Sequence, residues 1–366
     1  MTKKIYIKKV FLNKNNPTLG LENLGATCYM NAPLQCMAHF MEVSEGILTW
    51  YKSKKDKNKK SKTLSYAYAT VLNNLYFPNE YNNSKKFYSP KEFKEIISKL
   101  NPLFKGIQAN DSKDIFNYMI EQMHKELNNL DDPIIFNNNL TNLMNDQSNE
   151  MLTLNQFKTL FAINFNSIFS KYLYGIQETI TKCDFCGINI YNFQTFNFLI
   201  FPLLDVQRFV YNNFSLPQNY ILHLNDCFNY YEKIEYFFGE NSIHCNNCNL
   251  MRNATYFNKL YSVPKIISIV LNRGKNNADF KGRINFDMKL DLSNHVIEDS
   301  NSAKYYLFGV VCHIGDSSMS GHFFAYCRSH FKSPWYKYND SIVNQCNEKE
   351  ILSAYTPYIL FYHKYD

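Results

Sequence analysis

Two cysteine pairs constrain this chain more than any other feature: Cys183-Asp-Phe-Cys186 and Cys245-Asn-Asn-Cys248. Each C-x-x-C turn lets two thiolates converge on one ion, and two such knuckles complete a tetrahedral four-cysteine site. The stretch between them, residues 187–244, is longer than a compact zinc ribbon allows. The pairs are therefore expected on separate β-hairpins whose tips meet. Four thiolates leave no open coordination position, so the expected zinc is structural. A thioredoxin-like redox pair is the rival reading, and the presence of two pairs argues against it. Cys36, Cys227, Cys312, Cys327 and Cys346 show no metal spacing.

A chain of 366 residues can bury a sizeable core, as one large domain with sub-lobes or as two domains. Its hydrophobic fraction of 45% excludes disorder as a whole. Aromatic residues reach 16%, which suits aromatic-rich strands and contact surfaces; a codon bias toward Lys, Asn, Tyr and Phe gives the same figure. The net charge of +7 is modest for this size, so no nucleic-acid partner is expected. Much of it sits in the run Lys52–Lys62, read as a solvated loop or insertion. No apolar stretch reaches the length of a membrane span, and the basic N-terminus lacks the apolar core of a signal peptide. A cytoplasmic or nuclear monomer is the expectation, in a compartment where cysteines are seldom disulfides.

Residues 1–19 read as a polar lead-in with a short strand at Ile5–Phe11. Met30, Leu34, Met37 and Ala38 recur on one helical face, which predicts a helix from Thr27 to about Phe40. Tyr66–Leu75, Pro90–Leu100 and Asp111–Leu127 read as further helices, the second with Pro90 at its first helical position. Residues 131–148 are Asn-rich and loop-like. Beyond about Phe165 the texture changes to strand-like runs: Tyr172–Ile180, Phe196–Leu204, Ile266–Asn272, Tyr305–His313, Phe323–Ser329 and Tyr358–Tyr362. Helices first and strands afterwards predict an α+β protein.

Cys28 opens the first predicted helix, where the dipole and free backbone N–H groups favour a thiolate. Gly20 and Gly25 permit tight turns before it, and Asn23 offers a side-chain amide toward a developing oxyanion. A small buried cysteine on a helix is the competing reading. A thiol nucleophile needs an imidazole and a third group to orient it. His322, preceded by Gly321 at the entrance to a strand, supplies the first; Asn339 or Asp340 downstream supplies the second.

The strings around these residues decide between the readings. Gly20–Gln35 resembles the cysteine box of ubiquitin-specific proteases, G-L-x-N-L-G-N-T-C-Y-M-N-S-x-L-Q, with Ala26 for Asn and Ala32 for Ser. Tyr305–Gly315, Ser320–Tyr326 and Trp335–Val343 resemble the same family's histidine box, with Phe323 for the usual Tyr. Residues Gln108–Phe116 resemble its Q-Q-D-A-x-E-F helix, with Asn110, Ser112 and Asp114 substituted. Leu271-Asn-Arg-Gly274 departs from the family's L-x-R-F.

The resemblance spans about Gly20 to Tyr362 and implies a papain-like fold with helical thumb, β-rich palm and zinc-tipped β fingers. In that scheme residues 20–366 are one catalytic domain: thumb about 20–160, fingers about 175–265, palm about 161–174 and 266–366. The implied activity is hydrolysis after the C-terminal Gly of ubiquitin through a Cys28 thioester, on ubiquitin and ubiquitinated proteins. His322 would be the base, Asn339 or Asp340 its orienter, and Asn23 an oxyanion donor. His313 would support the site. Asp111 and Asp114 would pair with arginines of the ubiquitin tail, although a helix-capping role for Asp111 explains it equally well. A catalytically inactive ubiquitin-binding module and a peptidase for a ubiquitin-like modifier are the rival functions.

Overall fold

The computed structural model describes residues 17–53, 63–78, 86–128, 148–217, 219–274, 280–315, 321–354 and 356–365. The strand expected at Ile5–Phe11, most of the basic run and nearly all of the Asn-rich segment lie outside them.

Helix α1 (Cys28–Ala38) is the axis of the molecule. All its residues are buried, consistent with a segment that is apolar on nearly every side. Pro33 interrupts its hydrogen-bond ladder, because a proline nitrogen cannot donate to the carbonyl four residues back, that of Tyr29. The hydroxyl of Ser112 donates to that carbonyl instead, at 2.8 Å. Around α1 pack α2 (Met41–Ser53), α3 (Leu64–Tyr76), α4 (Lys91–Leu100) and α5 (Ser112–Leu127). Two further helices follow, α6 (Glu150–Asn164) and α7 (Ile168–Leu173). In the same N-terminal region β1 (Gly20–Leu21) pairs in parallel with β2 (Phe87–Tyr88).

The structure corrects three expectations. Pro90 is the residue before α4 rather than its first member. Tyr172 belongs to α7, whose Ser167 and Ser170 cap each other reciprocally, so the strand begins only at Gly175. The run Phe196–Leu204 is divided, with a strand ending at Pro202 and a helix starting at Leu203. Glu150–Asn164 and Met41–Ser53 are helices with no counterpart among the expected segments.

The strands form two main sheets. β3 (Gly175–Cys183), β4 (Asn189–Phe196), β7 (Glu235–Phe237) and β10 (Ala254–Ser262) make an antiparallel arm of order β4-β3-β10-β7. Beside its end sits the hairpin β8 (Ile243–Cys245) and β9 (Leu250–Arg252). β5 (Leu199–Pro202), α8 (Leu203–Asn213), β6 (Leu222–His223) and α9 (Leu224–Tyr231) intervene.

The long sheet is made from β11 (Ile266–Asn272), β14 (Lys304–Ile314), β15 (His322–Cys327), β16 (Trp335–Asn339), β17 (Ile342–Cys346) and β18 (Pro357–Lys364), with β5 at one edge. Its order is β17-β16-β15-β14-β18-β11-β5. β12 (Ile284–Asn285) pairs with β6, β13 (Lys289–Asp291) with β14, and α10 (Glu348–Leu352) precedes β18.

One face of the long sheet joins the α1 core and the other builds a second core with α8 and α9. β11 is buried on both faces, Ser268 included, as an Ile/Val/Leu-rich strand requires. On β14 a bulge between Leu307 and Gly309 resets the alternation, so that Phe308 and Val311 share the α1 side.

Among the described residues no helix is long and apolar enough to cross a membrane.

Glu126 on α5 accepts from the Leu64 and Ser65 amides and the Ser65 hydroxyl, so it caps α3 from a distance. Glu126→Ala should destabilise by about 2 kcal/mol in denaturant unfolding, the scale of hydrogen bonds to a charged acceptor. Glu121→Ala, at an exposed position of the same helix, should cost far less.

Candidate active site

The approach to α1 turns sharply because Gly25 and Ala26 both take positive φ, at 99° and 46°. The side chain of Asn23 closes this turn: its Oδ1 accepts from the amides of Gly25 (3.2 Å) and Thr27 (2.9 Å). Cys28 follows as the first residue of α1, only 4% exposed.

His322 opens β15, the strand against which α1 packs. The Cys28 sulfur, acting as acceptor toward the protonated ring, is the largest influence on His322. With the Asn339 amide it outweighs burial and pushes the His322 pKa up to about 9. The far ring nitrogen, Nε2, lies 2.6 Å from Asn339 Oδ1; an amide oxygen only accepts, so Nε2 carries the hydrogen and Nδ1 is left for the thiol.

Asn339 ends β16, and a two-residue turn leads into β17. Asp340, the first residue of that turn, has φ 50°. Consecutive residues thus point differently: Asn339 toward His322, Asp340 toward α1. The carboxylate of Asp340 is shared, Oδ2 taking Asn23 Nδ2 (2.9 Å) and Oδ1 taking Asn31 Nδ2 (2.8 Å). Its backbone oxygen accepts from Leu21 N at 2.8 Å. A side chain at Gly20 would collide with this turn, its Cβ lying 2.5 Å from the Ser341 carbonyl.

Asn31 and Gly321 belong to the constellation although sequence reasoning gives neither a part in the chemistry. Asn31 is a buried polar residue one helical turn beyond Cys28, a combination that signals a tertiary partner. Gly321 is pressed against His313: a Cβ there would stand 1.9 Å from the His313 ring nitrogen. His313 itself is buried on β14, its ring 4.5 Å from that of Phe323.

Asp111 caps α5, accepting from Lys113 N at 2.9 Å and from the Tyr358 hydroxyl at 2.6 Å. Asp114 makes no reciprocal capping bond; it pairs with Lys113 Nζ at 3.3 Å. Gly274 has φ 89°, which explains why no Phe stands there, and Phe280 packs against the Arg273 guanidinium instead.

The four cysteines of the two C-x-x-C pairs meet at the end of the arm. Their Sγ atoms all lie within 4.8 Å of one another, with Cys183–Cys248 at 4.0 Å and Cys186–Cys245 at 3.7 Å. A tetrahedral ion about 2.3 Å from each sulfur requires edges of about 3.8 Å. The cluster fits a metal ion.

A thiol at a helix start, an imidazole facing it and an amide behind the imidazole define a cysteine–histidine site of the papain kind. Residues 19–362 match the sequence profile of the family described as ubiquitin carboxyl-terminal hydrolase, and the chain belongs to that family. Similar relatives include Ubiquitin carboxyl-terminal hydrolase 2 of Bos taurus, 25% identical over 94% of this chain and 54% of its own length. Ubiquitin carboxyl-terminal hydrolase 21 of Homo sapiens is 26% identical over 94% of this chain and 61% of its own. The chain thus spans between half and two thirds of these relatives. Among solved structures, a chain of the SAGA DUB module Ubp8/Sgf11/Sus1/Sgf73 bound to monoubiquitin shares the fold. Its TM-score is 0.72 at 20% identity, covering 96% of this chain and 70% of that one.

Because Cys28 is the leading cause of the raised His322 pKa, Cys28→Ala should lower it from about 9 toward the ordinary imidazole value. NMR titration of the ring reads this directly. The sign carries into stability: a contribution fully present below about 6.5 and lost as pH rises through about 9 should shrink in the variant, where only the Asn339 and Asp340 side chains still raise the pKa.

Proposed function

We propose that this chain is a deubiquitinating thiol peptidase that hydrolyses isopeptide or peptide bonds after the C-terminal Gly of ubiquitin. The observation that carries the reading is the Cys28–His322–Asn339 arrangement within a family match that spans nearly the whole chain. Relatives named for ubiquitin hydrolysis, and a structural neighbour bound to monoubiquitin, support the choice of substrate. We read residues 20–366 as the catalytic domain, with α1–α6 as thumb, the antiparallel arm as fingers and the long sheet as palm.

In this reading His322 Nδ1 takes the Cys28 proton, and the sulfur attacks the Gly carbonyl carbon. The oxyanion is met by Asn23 and by backbone N–H groups at the start of α1. Asn23 Nδ2 has two hydrogens, and only one is used by Asp340. The imidazolium then protonates the leaving amine, and the C–N bond breaks to give a thioester. His322 next deprotonates a water that attacks the thioester, and Cys28 leaves as product carboxylate forms. Asn339 holds the ring, and Asp340 holds the oxyanion donor. His313 supports the entrance to β15 through its contact with Gly321. Asp111 and Asp114 face the arginines of the ubiquitin tail.

The rival of an inactive ubiquitin-binding module is disfavoured by the intact set of Cys28, His322, Asn339 and Asp340. A ubiquitin probe carrying a C-terminal electrophile tests nucleophile and modifier together. Wild type should be labelled and Cys28→Ala should not; an unlabelled wild type, or a labelled variant, would sink the proposal. Asn23→Ala should lower kcat by roughly 10²–10³. Asp340→Ala should lower it too, and the double variant should be little worse than Asn23→Ala, because the carboxylate acts through the amide. Asn339→Ala should instead move the alkaline limb of kcat/KM down from about 9, since the amide helps raise the His322 pKa. A preference for another modifier by more than about tenfold, roughly 1.4 kcal/mol, would keep the chemistry and change the substrate.

We also propose that Cys183, Cys186, Cys245 and Cys248 hold one structural zinc that joins the tips of two hairpins. Metal analysis should find about one zinc per chain, reduced by replacing any ligand. Such a variant should lose hydrogen-exchange protection in residues 180–260 before Cys28 loses its reactivity. Unchanged melting and exchange in zinc-free protein would overturn the assignment.

A further inference from the structure

The acidic pair at the start of α5 already has a cation. Lys113 Nζ lies 2.8 Å from Asp111 Oδ2 and 3.3 Å from Asp114 Oδ1, bridging the two carboxylates. The ammonium is partly sheltered, its side chain 25% exposed, while Asp111 is 15% and Asp114 48% exposed. Burial alone would lower the Lys113 pKa, but Asp111 and then Asp114 outweigh it and raise it. The start of α5 is fastened to the helix that carries Cys28: Ser112, next to both Asp111 and Lys113, bonds the carbonyl of Tyr29, the residue after Cys28. From the other side Tyr358, on β18, grips both oxygens of Asp111 at 2.6 and 2.8 Å.

We propose that Lys113 is an internal counter-ion that sets the strength and charge selectivity of tail recognition. It occupies the Asp111–Asp114 pair in the free protein and gives way when a guanidinium of the modifier's tail enters. The inference rests on the ubiquitin reading above. Exchange of one cation for another gains less than the filling of an empty acidic site, so Lys113 weakens binding of the tail. It also sharpens the choice of cation. A planar guanidinium that bonds two oxygens at once displaces a point-charge ammonium better than a tail lysine would. With Lys113 present the three side chains sum to one negative charge; without it they sum to two, and attraction for a basic tail becomes stronger and more salt-sensitive.

The test is Lys113→Gln, assayed on a ubiquitin C-terminal fluorogenic amide at low ionic strength. KM should fall roughly threefold with kcat unchanged, and its dependence on salt should steepen. On ubiquitin whose tail arginines are replaced by alanine, the same substitution should leave KM where it was. A lysine that merely props the cap of α5 would give the opposite sign, a raised KM and a lowered Tm on both substrates. Lys113→Arg keeps the charge and adds a fork for the carboxylates, so it should raise KM, and it serves if the Gln variant folds poorly. An active wild type whose KM is indifferent to both substitutions overturns this inference alone. A wild type that does not hydrolyse ubiquitin removes the functional reading, and this inference with it.

Discussion

The placing of one carboxylate, that of Asp340, ties the half of the candidate site carried by helix to the half carried by sheet. Its two oxygens hold Asn23, in the loop before α1, and Asn31, inside α1. Its peptide oxygen holds β1 as well. Asn339, one residue earlier, holds His322. A single hairpin turn thereby fixes the distance between imidazole and thiol and the direction of the nearby amide. The left-handed backbone at Asp340 is what lets adjacent side chains serve opposite walls. Such precision on a sheet edge is achievable because β16 and β15 are registered by their ladder and packed against α1.

Residues with chemically demanding spacing can be read from the amino-acid sequence alone. The four cysteines that meet at the end of the arm follow from their two short repeats. Cys28 and His322 follow from strings whose glycines and polar neighbours have no other common purpose. The helices α3 and α5 are legible in outline, and β11 from its Ile/Val-rich run, though not its burial on both faces. Interactions between residues some three hundred positions apart are not legible in this way. Asn31 is an ordinary polar residue in a helical string until Asp340 is brought to it. At short range too a contact can hide: the turn of α5 folds Lys113 back onto both of its acidic neighbours. Tyr172 reads as strand because the Tyr, Phe and Ile around it favour sheets locally, whereas the paired serines at the start of α7 decide for helix.

The choice between Asn339 and Asp340, open in sequence, becomes a division of labour in space. The same is true of Asp111, for which capping and recognition compete as explanations in sequence. Its carboxylate caps the helix, accepts from Tyr358 and binds Lys113 at once, so the cap itself presents the charge. A carboxylate built into a helix terminus is stiff, and stiffness limits the entropy lost when a cation is ordered against it.

Pro33 and Ser112 make a different point. The ring of Pro33 deprives the Tyr29 carbonyl of its helical partner, and the hydroxyl of Ser112 replaces that partner from another helix. Each of the two departs from what a regular helix or the family's usual alanine would supply, and each makes sense only with the other. Alanine at 112 would strand a buried carbonyl, whereas an amide-bearing residue at 33 would share it with the serine, since a carbonyl oxygen has two lone pairs. The order of any change therefore matters: position 33 must regain an N–H before position 112 can lose its hydroxyl without leaving the Tyr29 carbonyl bare.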